Sequence, residues 1–309
     1  MNDTMAETGT ARAGQPGAQA PAGMVAGLVD VEVAAGSVAG RLHRRLGRPN
    51  QDAVVWRRGP RGLVIVVCDG CGSGRRTEVG AELGARLWLR ALADRVEAGA
   101  SIEHDLFDAA GDEVLDHLAA LCAALGCARG PARADLVAGH LLATTLCAVV
   151  TAERAAVHAL GDGVLGLGRE QRVIGPFADN QPPYLALGLL GERPTGETWI
   201  ADAGVGCALL ASDGAVPLVD GVAIGAGLGP PAGALDARRH GAGAEHPSWH
   251  LTDAAGADAL YRSPQALTRK LALLAEDTTS IDWDGRRVER RPALLDDDTT
   301  IALARWRRP

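Results

Sequence analysis

Apolar residues of this chain fall into short runs separated by turn-forming residues, a pattern typical of β-strands. Ala53–Trp56 and Leu63–Cys68 are the clearest pair, and the Gly- and Pro-containing residues 57–62 between them predict a β-hairpin. Runs of the same kind predict a second hairpin and two further strands, at residues 141–150 with 154–160, 207–211 and 301–306.

Between the two hairpins, apolar residues recur at every fourth position, as on one face of an α-helix. Two helices are predicted in this way, from Val79, Leu83, Leu87 and Ala91 and from Leu106, Ala110, Val114 and Leu118. A shorter helix is predicted at residues 267–274, opened by Ser263-Pro264, since proline suits the first helical turn. Strands interrupted by a helix pair indicate an α+β layered architecture and not alternating βαβ units.

The first 24 residues differ in composition from the rest of the chain. They are rich in Ala, Gly, Pro and Thr and contain almost no large apolar side chain. Such a segment cannot bury enough surface to offset the entropy that ordering costs. We expect residues 1–24 to be a disordered tail and residues 25–309 to form one domain.

Composition argues against several classes of partner. The 309 residues carry a net charge of −7, which disfavours nucleic acid as the main partner. No run reaches the roughly 18 apolar residues that a membrane span requires, and no basic start followed by an apolar stretch marks a secretion signal. Several of the six cysteines lie in apolar runs, as reduced core cysteines do. We therefore expect a cytoplasmic protein with no membrane partner.

Aspartates mark the ends of the predicted strands. Asp52 precedes the first strand of the first hairpin and Asp69 follows its second strand, so folding makes the two neighbours. Asp162 follows the second hairpin, Asp213 ends the next strand and Asp297 begins the last one. Carboxylates gathered at one edge would repel one another, and oxygen ligands select hard dications such as Mg²⁺ or Mn²⁺. The alternative is that each aspartate is an ordinary turn residue.

Arginines are concentrated beside these acids. They stand before Asp52 and after the glycine-rich residues 70–74, at positions 41, 44, 45, 48, 75 and 76. A guanidinium group matches a phosphate with two hydrogen bonds, so metal ions with arginine around one edge describe a phosphate monoester site. The alternative is that these arginines are solvated surface.

Six motifs resemble those of the metal-dependent type 2C protein phosphatase family, in the family's order and over about residues 25–306. They are RPNQD at 48–52, VVCDGCGSG at 66–74, ATT at 143–145, LGDG at 160–163, LLASDG at 209–214 and DDTTIAL at 297–303. The variants resemble a bacterial branch of the family more than its eukaryotic members. The resemblance implies a four-layer αββα sandwich, in which two antiparallel β-sheets are flanked by helices.

The resemblance also implies a set of metal ligands. Asp69 would bridge two metal ions, and the carbonyl group of Gly70 would bind the second ion. Asp213 and Asp297 would complete the shell of the first ion. Asp162 matches the aspartate that, with Asp213, holds a weaker third metal in bacterial members.

The catalytic and phosphate-binding residues follow from the same resemblance. Asp52 would hydrogen-bond metal-bound water, so that Asp52, Asp69 and Arg48 form the catalytic set. Arg48, Arg44 and Arg45 are the candidates for binding phosphate.

The chain departs from the family's pattern at five positions. Gln51 stands where the family usually has Glu, and Cys71 replaces a His that is a candidate general acid in eukaryotic members. Gly163 replaces a Ser and Asp298 replaces a common Asn. The phosphate-binding arginine is displaced by one position, which makes Arg48 our choice.

These inferences predict a protein serine/threonine phosphatase that uses two Mn²⁺ or Mg²⁺ ions, with a third in some members. A metal-bridging water, its pKa lowered toward about 7, would attack the phosphorus in line as hydroxide. The predicted partners are phosphorylated proteins, as products of Ser/Thr kinases. The sequence names neither substrate nor kinase, and the role of residues 176–190, where bacterial members carry a mobile flap, is open.

Three other hypotheses remain open at this point. A pseudophosphatase would keep the fold and act as a regulatory partner, although the presence of the five main aspartates speaks against it. The loop Gly70-x-Gly-x-Gly74 suggests dinucleotide binding, but it lacks the full fingerprint and Asp69 would repel a pyrophosphate. The pair Cys68-x-x-Cys71 suggests a zinc or redox site, for which no further ligands stand at matching spacing.

Overall fold

The computed structural model describes residues 7–11, 27–219 and 251–308. Most of the strands belong to two antiparallel sheets. In chain order the strands are β1 (Glu7–Ala11), β2 (Val29–Val38), β3 (Asp52–Arg58), β4 (Leu63–Asp69), β5 (Thr145–Val150), β6 (Arg154–Leu160), β7 (Gly163–Leu167), β8 (Glu170–Ile174), β9 (Glu197–Asp202), β10 (Cys207–Ala211), β11 (Thr278–Asp282), β12 (Arg287–Arg291) and β13 (Thr299–Arg307).

Hydrogen bonding orders the strands into two large sheets and one small one. The first sheet has the order β1-β3-β4-β5-β6-β9, and the second has the order β2-β13-β10-β7-β8. Strands β11 and β12 form a separate two-stranded hairpin. Every pairing is antiparallel, as the alternation of runs and turns in the sequence predicts.

The helices lie before, between and after these strands. Their bounds are α1 (Arg41–Leu46), α2 (Glu78–Glu97), α3 (His104–Ala124), α4 (Pro131–Leu136), α5 (Leu251–Ala254), α6 (Asp258–Tyr261) and α7 (Ala266–Leu274). A π-helical turn, Val137–Leu141, continues α4, and short 3₁₀ turns occur at Ala178–Asn180, Leu185–Leu190, Ala203–Val205 and Asp213–Leu218. No described helix combines the length and the apolar character that crossing a bilayer requires.

Three buried apolar layers separate these elements. The middle layer lies between the two sheets and includes Ile65 of β4 and Leu210 of β10. A second layer, which includes Val66 and Trp88, packs α2 and α3 against the outer face of the first sheet. The third packs α7 against the second sheet, with Leu271 at its centre. This order of helix, sheet, sheet and helix confirms the predicted αββα sandwich.

Strand β4 is buried on both faces, which explains why its sequence is an unbroken apolar run. Leu63, Ile65 and Val67 face the other sheet. Val64, Val66 and Cys68 face the helices on the opposite side. Asp69, the last residue of the strand, is the first polar one and lies where the buried layer ends.

The predicted helix from Val79 to Ala91 is confirmed as part of α2, but its buried face is rotated from the predicted stripe. Val79 is 47% exposed, whereas Ala81, Ala85 and Trp88 are fully buried. A spacing of four drifts by about 40° at each step, because the helix has 3.6 residues per turn. The predicted stripe therefore runs along the edge of the true contact face.

Two predicted boundaries were wrong. The second hairpin begins at Thr145 and not at residue 141, because Val137–Leu141 is a π-helical turn. Helix α7 begins at Ala266, so Pro264 precedes the helix and does not occupy its first turn.

Part of the segment predicted to be a disordered tail is described as a strand. Residues 7–11 form β1, which pairs with β3 at the edge of the first sheet. The other residues of the segment 1–24 lie outside the described residues. The domain boundary at residue 25 stays a prediction.

Candidate metal centre

The first hairpin places two carboxylates side by side. Asp52 opens β3 and Asp69 closes β4, and the two residues are direct partners in the antiparallel register. Asp52 is only 7% exposed. The prediction that folding brings these two acids together is confirmed.

Gly70 is enclosed by backbone on two sides. Its N–H donates to the carbonyl oxygen of Gln51 at 3.1 Å. A Cβ at this position would lie 2.8 Å from the carbonyl oxygen of Thr77 and 2.9 Å from that of Gln51. Only glycine fits, and it allows the loop after β4 to pass close to Asp52.

Ser212 connects the second sheet, which carries further acids, to Asp52 in the first sheet. Ser212, at the end of β10, donates its hydroxyl hydrogen to Oδ2 of Asp52 at 2.7 Å and accepts the backbone N–H of Thr300 at 2.9 Å. Asp213 follows Ser212 directly, and Asp297 precedes β13, the neighbour of β10. The two sheets therefore meet at the end where four of the predicted site aspartates stand.

Electrostatic coupling shows how closely these acids lie. Burial, together with the charges of Asp52 and Asp213, raises the pKa of Asp69 well above its usual range. Burial, and then the charge of Asp213, raises the pKa of Asp162 to about 6 and also raises that of Asp297. The charge of Asp213 thus acts on the other three predicted carboxylate ligands, as expected for carboxylates gathered at one edge.

Asp52 has a strongly raised pKa. Burial, followed by the nearby charge of Asp298, raises it to about 8, although hydrogen bonds from Ser212 and Thr300 lower it. Its Oδ1 atom is buried and has no hydrogen-bond partner among the described residues. A buried acceptor without a partner is costly, so this oxygen needs a cation or an ordered water.

The set of oxygen donors fits the divalent ions predicted from the sequence. Several carboxylates with raised pKa values become stable as anions once a dication lies between them. Oxygen-only donors suit Mg²⁺ or Mn²⁺ better than zinc. Among the described residues, one group of possible metal ligands is more closely spaced than any three of the predicted ligands. It consists of His43, Asp297 and Asp298, whose ligand atoms lie within 4.8 Å of one another.

Asp298 accepts three hydrogen bonds and is almost fully buried. Its Oδ1 accepts the N–H of Gly40 at 2.7 Å. Its Oδ2 accepts the N–H of Gln51 at 2.6 Å and contacts Nδ1 of His43 at 2.8 Å. An ionised carboxylate has no hydrogen to give, so Nδ1 of His43 bears the proton and is not free to bind a metal.

The predicted phosphate-binding arginines lie in different environments. Arg44 hydrogen-bonds to the carbonyl oxygen of Ala275 and, at 2.6 Å, to Glu276. Arg45 pairs with Asp277 at 3.0 Å. Arg48 is exposed, and its guanidinium group makes no hydrogen bond or ion pair with another residue of the described ranges. Arg48 is therefore the candidate whose cation is available to a ligand.

Residues 176–190 are exposed at 178–181 and largely buried from 182 to 189. Leu185, Ala186 and Leu189 belong to the apolar layer against α3. Burial raises the pKa of Tyr184, and the hydrogen bond of its hydroxyl to Cys71 and the charges of Asp162 and Asp69 act in the same direction. Tyr184 thus lies beside the predicted ligands.

Cys71 lies in the glycine-rich loop that follows β4. Burial raises the pKa of its thiol, but hydrogen bonds from Ser73 and Tyr184 outweigh that effect, and the pKa is lowered. The thiol contacts the hydroxyl oxygen of Ser73 at 3.1 Å. Its half-buried place beside Tyr184 makes Cys71 part of the wall of the site.

The structure does not favour the two alternative uses of this loop. Strand β4 is antiparallel to both of its neighbours, so the glycine loop is not the turn of a βαβ unit, which dinucleotide binding requires. All six cysteines are free, and Cys68 is buried against Thr145. No cysteine belongs to the one metal-ligand group found among the described residues.

Sequence reasoning missed Ser212, Thr144 and Tyr184. The N–H of Thr144 donates to the carbonyl oxygen of Asp69 at 2.8 Å, and its hydroxyl accepts the N–H of Asp69 at 3.3 Å. Ser212 and Thr144 both lie inside motifs that the sequence had marked, so motif membership was the available signal. Tyr184 stands in a segment without a motif, and its position depends on tertiary packing.

Comparisons with known proteins show which family and which folds the chain resembles. Residues 39–186 match the profile of the family described as Protein phosphatase 2C. Comparison with curated proteins gives no match.

Among solved structures, PppA, a regulatory component of the T6SS in Pseudomonas aeruginosa, superposes with a TM-score of 0.50 at 16% identity, covering 90% of this chain and 99% of PppA. The serine/threonine phosphatase PstP/Ppp of Mycobacterium tuberculosis gives a TM-score of 0.49 at 17% identity. The superposition covers 89% of this chain and 98% of PstP/Ppp. The catalytic domain of a PstP phosphatase in complex with two manganese ions gives a TM-score of 0.49 at 17% identity. The superposition covers 90% of this chain and 98% of that domain.

The profile match includes Asp52, Asp69 and Asp162, three of the acids that the fold brings to one edge. The likeness to PppA concerns the fold alone, because the identity is low. The matched profile and the αββα sandwich agree with the six motifs, and residues 39–186 of the chain are similar to the protein phosphatase 2C family.

Proposed function

We propose that this protein hydrolyses phosphoserine and phosphothreonine on other proteins, with Mn²⁺ or Mg²⁺ held by its acidic centre. One observation carries the proposal. Aspartates from both sheets meet at one edge, and Oδ1 of the buried Asp52 lacks a partner among the described residues. Such a site is electrostatically unfavourable without dications.

The proposed ligands are those implied by the family resemblance. Asp69, the carbonyl group of Gly70, Asp213 and Asp297 would hold two ions, and Asp162 with Asp213 would hold a weaker third. When bound, the ions would neutralise phosphate oxygens and lower the pKa of water. The charge of Asp213 adds to burial in raising the pKa values of Asp69, Asp162 and Asp297, which supports the assignment.

The chain's own residues would orient the reactants. Asp52, fixed through Oδ2 by Ser212, presents Oδ1 as an acceptor for the hydrogen of a water molecule. Arg48 would bind phosphate oxygens with its guanidinium fork. The side chains of Arg44 and Arg45 are already paired with acids that follow α7, so they support phosphate binding less well.

Phosphorylated proteins are the proposed substrates, as products of Ser/Thr kinases, which would place the chain in reversible phosphorylation signalling. We include a cytoplasmic location in the proposal, since six unpaired cysteines suit a reducing compartment. Neither nucleic acid nor membrane is a proposed partner, because the net charge is −7.

The test is hydrolysis of para-nitrophenyl phosphate and of a phosphothreonine peptide during titration with Mn²⁺ and Mg²⁺. Asp69→Asn should lower kcat by about 100-fold or more, because it removes the ligand shared by both ions. Asp108→Asn, on the exposed face of α3, is the matched control and should leave kcat unchanged. Metal-dependent binding without turnover in the wild type would instead favour the pseudophosphatase.

A further inference from the structure

Asp298 and His43 contact each other beside Asp297, and neither belongs to the proposed metal-binding or phosphate-binding set. Asp298 is 3% exposed, and His43 is 8% exposed. Three N–H groups converge on the Asp298 carboxylate, from Gly40, Gln51 and His43. A carboxylate can accept all three, whereas an asparagine would turn its own NH₂ group toward one of these donors.

The contacts of Asp298 reach both sheets of the site. Its backbone N–H donates to Oδ1 of Asp297 at 2.8 Å, which orients that proposed ligand in the second sheet. Its side chain holds the N–H of Gln51, the residue before Asp52. The carbonyl oxygen of Gln51 in turn accepts the N–H of Gly70 at 3.1 Å. One buried residue thus links Asp297 with Asp52 and the loop of Gly70.

His43 holds this carboxylate in its orientation. It lies in α1, whose first residues follow Gly40, and Oδ1 of Asp298 accepts the N–H of Gly40. A Cβ at Gly40 would lie 2.3 Å from the carbonyl carbon of Asp297, so the chain passes close to the ligand loop here. The helix and the loop are therefore in direct contact, with the hydrogen bond from His43 to Asp298 at their interface.

We propose that Asp298 and His43 are positioning residues that fix the separation between the acids of the two sheets and thereby set the affinity of the site for divalent cations. The proposal rests on the proposed function, since it concerns the same metal centre. Neither residue binds the metal ion. Each acts through Gln51 and Asp297.

The test measures Mn²⁺ binding by isothermal titration calorimetry and urea denaturation of the metal-free proteins. Asp298→Asn should weaken Mn²⁺ binding by about tenfold or more, the range seen when residues that orient ligands are lost. Asp296→Asn is the matched control, because Asp296 lies in the same loop but is exposed and pairs only with Arg41 within the described ranges. It should change the affinity by less than about twofold.

Variants of His43 distinguish a positioning role from a purely electrostatic effect of the imidazole on Mn²⁺ binding. Removing a histidine beside a cation site should leave binding unchanged or tighten it if charge alone matters. Positioning predicts the opposite for His43→Ala, a loss of about threefold or more, with His43→Asn restoring binding to within about twofold because its amide can donate to Asp298. These variants also decide the question if Asp298→Asn does not fold.

Three results would be informative in different ways. Wild-type affinity in both Asp298→Asn and His43→Ala would overturn the positioning role while leaving the proposed function intact. Equal losses in Asp298→Asn and Asp296→Asn would also overturn it, because loop charge would then be the cause. Absence of Mn²⁺ binding by the wild type would overturn the proposed function itself.

Discussion

Asp52 shows how a single side chain acquires an unusual environment from the elements around it. As the first residue of β3 it faces Asp69 across the hairpin, and the second sheet adds Ser212 and the charge of Asp298. One of its oxygens is satisfied and the other is not. The sequence identified Asp52 as an acid at a strand end, but its burial and its partners depend on how the sheets pack.

Arg48 and Arg45 offer a direct comparison at the level of single side chains. We predict that Arg48→Ala raises the KM for a phosphopeptide by about tenfold or more, because hydrogen bonds between charged groups contribute about 1.5–3 kcal/mol. Arg45→Ala should change the KM by less than about twofold, since Arg45 is an exposed partner of Asp277. Steady-state kinetics at saturating Mn²⁺ provide the measurement.

Arg48→Lys should recover only part of the loss, because an ammonium group cannot bind two phosphate oxygens as a guanidinium fork does. Equal effects of Arg48→Ala and Arg45→Ala would argue against a specific phosphate contact by Arg48.

Among the elements, helix α2 and the π-helical turn at 137–141 support the glycine loop together. The N–H of Cys71 donates to the carbonyl oxygen of Leu142 at 3.0 Å, and that of Arg76 donates to Gly139 at 2.9 Å. The first turn of α2 approaches the same segment through Gly80. The sequence predicted the helix but not this support, because the π-helical turn gives no periodic signal of its own.

Two glycines of α2 should therefore respond oppositely to alanine. A Cβ at Gly80 would lie 2.5 Å from the carbonyl oxygen of His140, so Gly80→Ala should lower the free energy of unfolding by about 1–3 kcal/mol. A Cβ at Gly84 would meet nothing closer than Sγ of Cys68 at 3.9 Å, so Gly84→Ala should stabilise the protein by about 0.5–1 kcal/mol. Urea denaturation measures both.

Gly80→Ala should also weaken Mn²⁺ binding, since it displaces the loop that carries Gly70. A stable Gly80→Ala variant with wild-type affinity would show that the contact between α2 and the π-helical turn does not hold the loop.

For the protein as a whole, the acidic centre should make the metal-free form less stable as pH rises. Asp52 has a pKa of about 8 in the folded chain against 3.8 for the unperturbed group. Between these values the unfolded chain releases a proton that the folded chain retains, so the free energy of unfolding falls as pH rises. Urea denaturation at pH 5 and pH 8 in EDTA measures this effect.

Asp52→Asn should reduce that decrease, because an asparagine does not titrate. Asp108→Asn serves as the exposed control and should leave it unchanged. An identical decrease in wild type and Asp52→Asn would show that other groups cause the pH dependence.

Mn²⁺ binding should stabilise the folded protein, because the proposed ligands come from both sheets and the ion would hold the sheets together. At a free Mn²⁺ concentration 100 times the dissociation constant, the free energy of unfolding should rise by about 2.7 kcal/mol. Asp213→Asn should remove most of this gain, because Asp213 is a proposed ligand from the second sheet whose charge acts on Asp69 and Asp297. Denaturation with and without Mn²⁺ measures it, and an unchanged midpoint in the wild type would contradict the proposal.

The alternation of apolar runs and turns was sufficient to predict the strands and helices that enclose the site. It was sufficient because both faces of β4 and one face of α3 are buried, which leaves a clear periodic record in the sequence. Acids at strand ends and motif order likewise indicated which residues carry the chemistry, since strand ends are fixed by local chain direction.

Tertiary structure alone decided how those residues are arranged. The hydrogen bond from Ser212 to Asp52 joins residues 160 positions apart, and that from Gln51 to Asp298 joins residues 247 apart. The same packing pairs Arg45 with Asp277, whereas the guanidinium group of Arg48 has no partner within the described part of the chain. Local sequence patterns report burial along one element, whereas these contacts depend on how two sheets and a helix meet, and no short-range pattern encodes that relation.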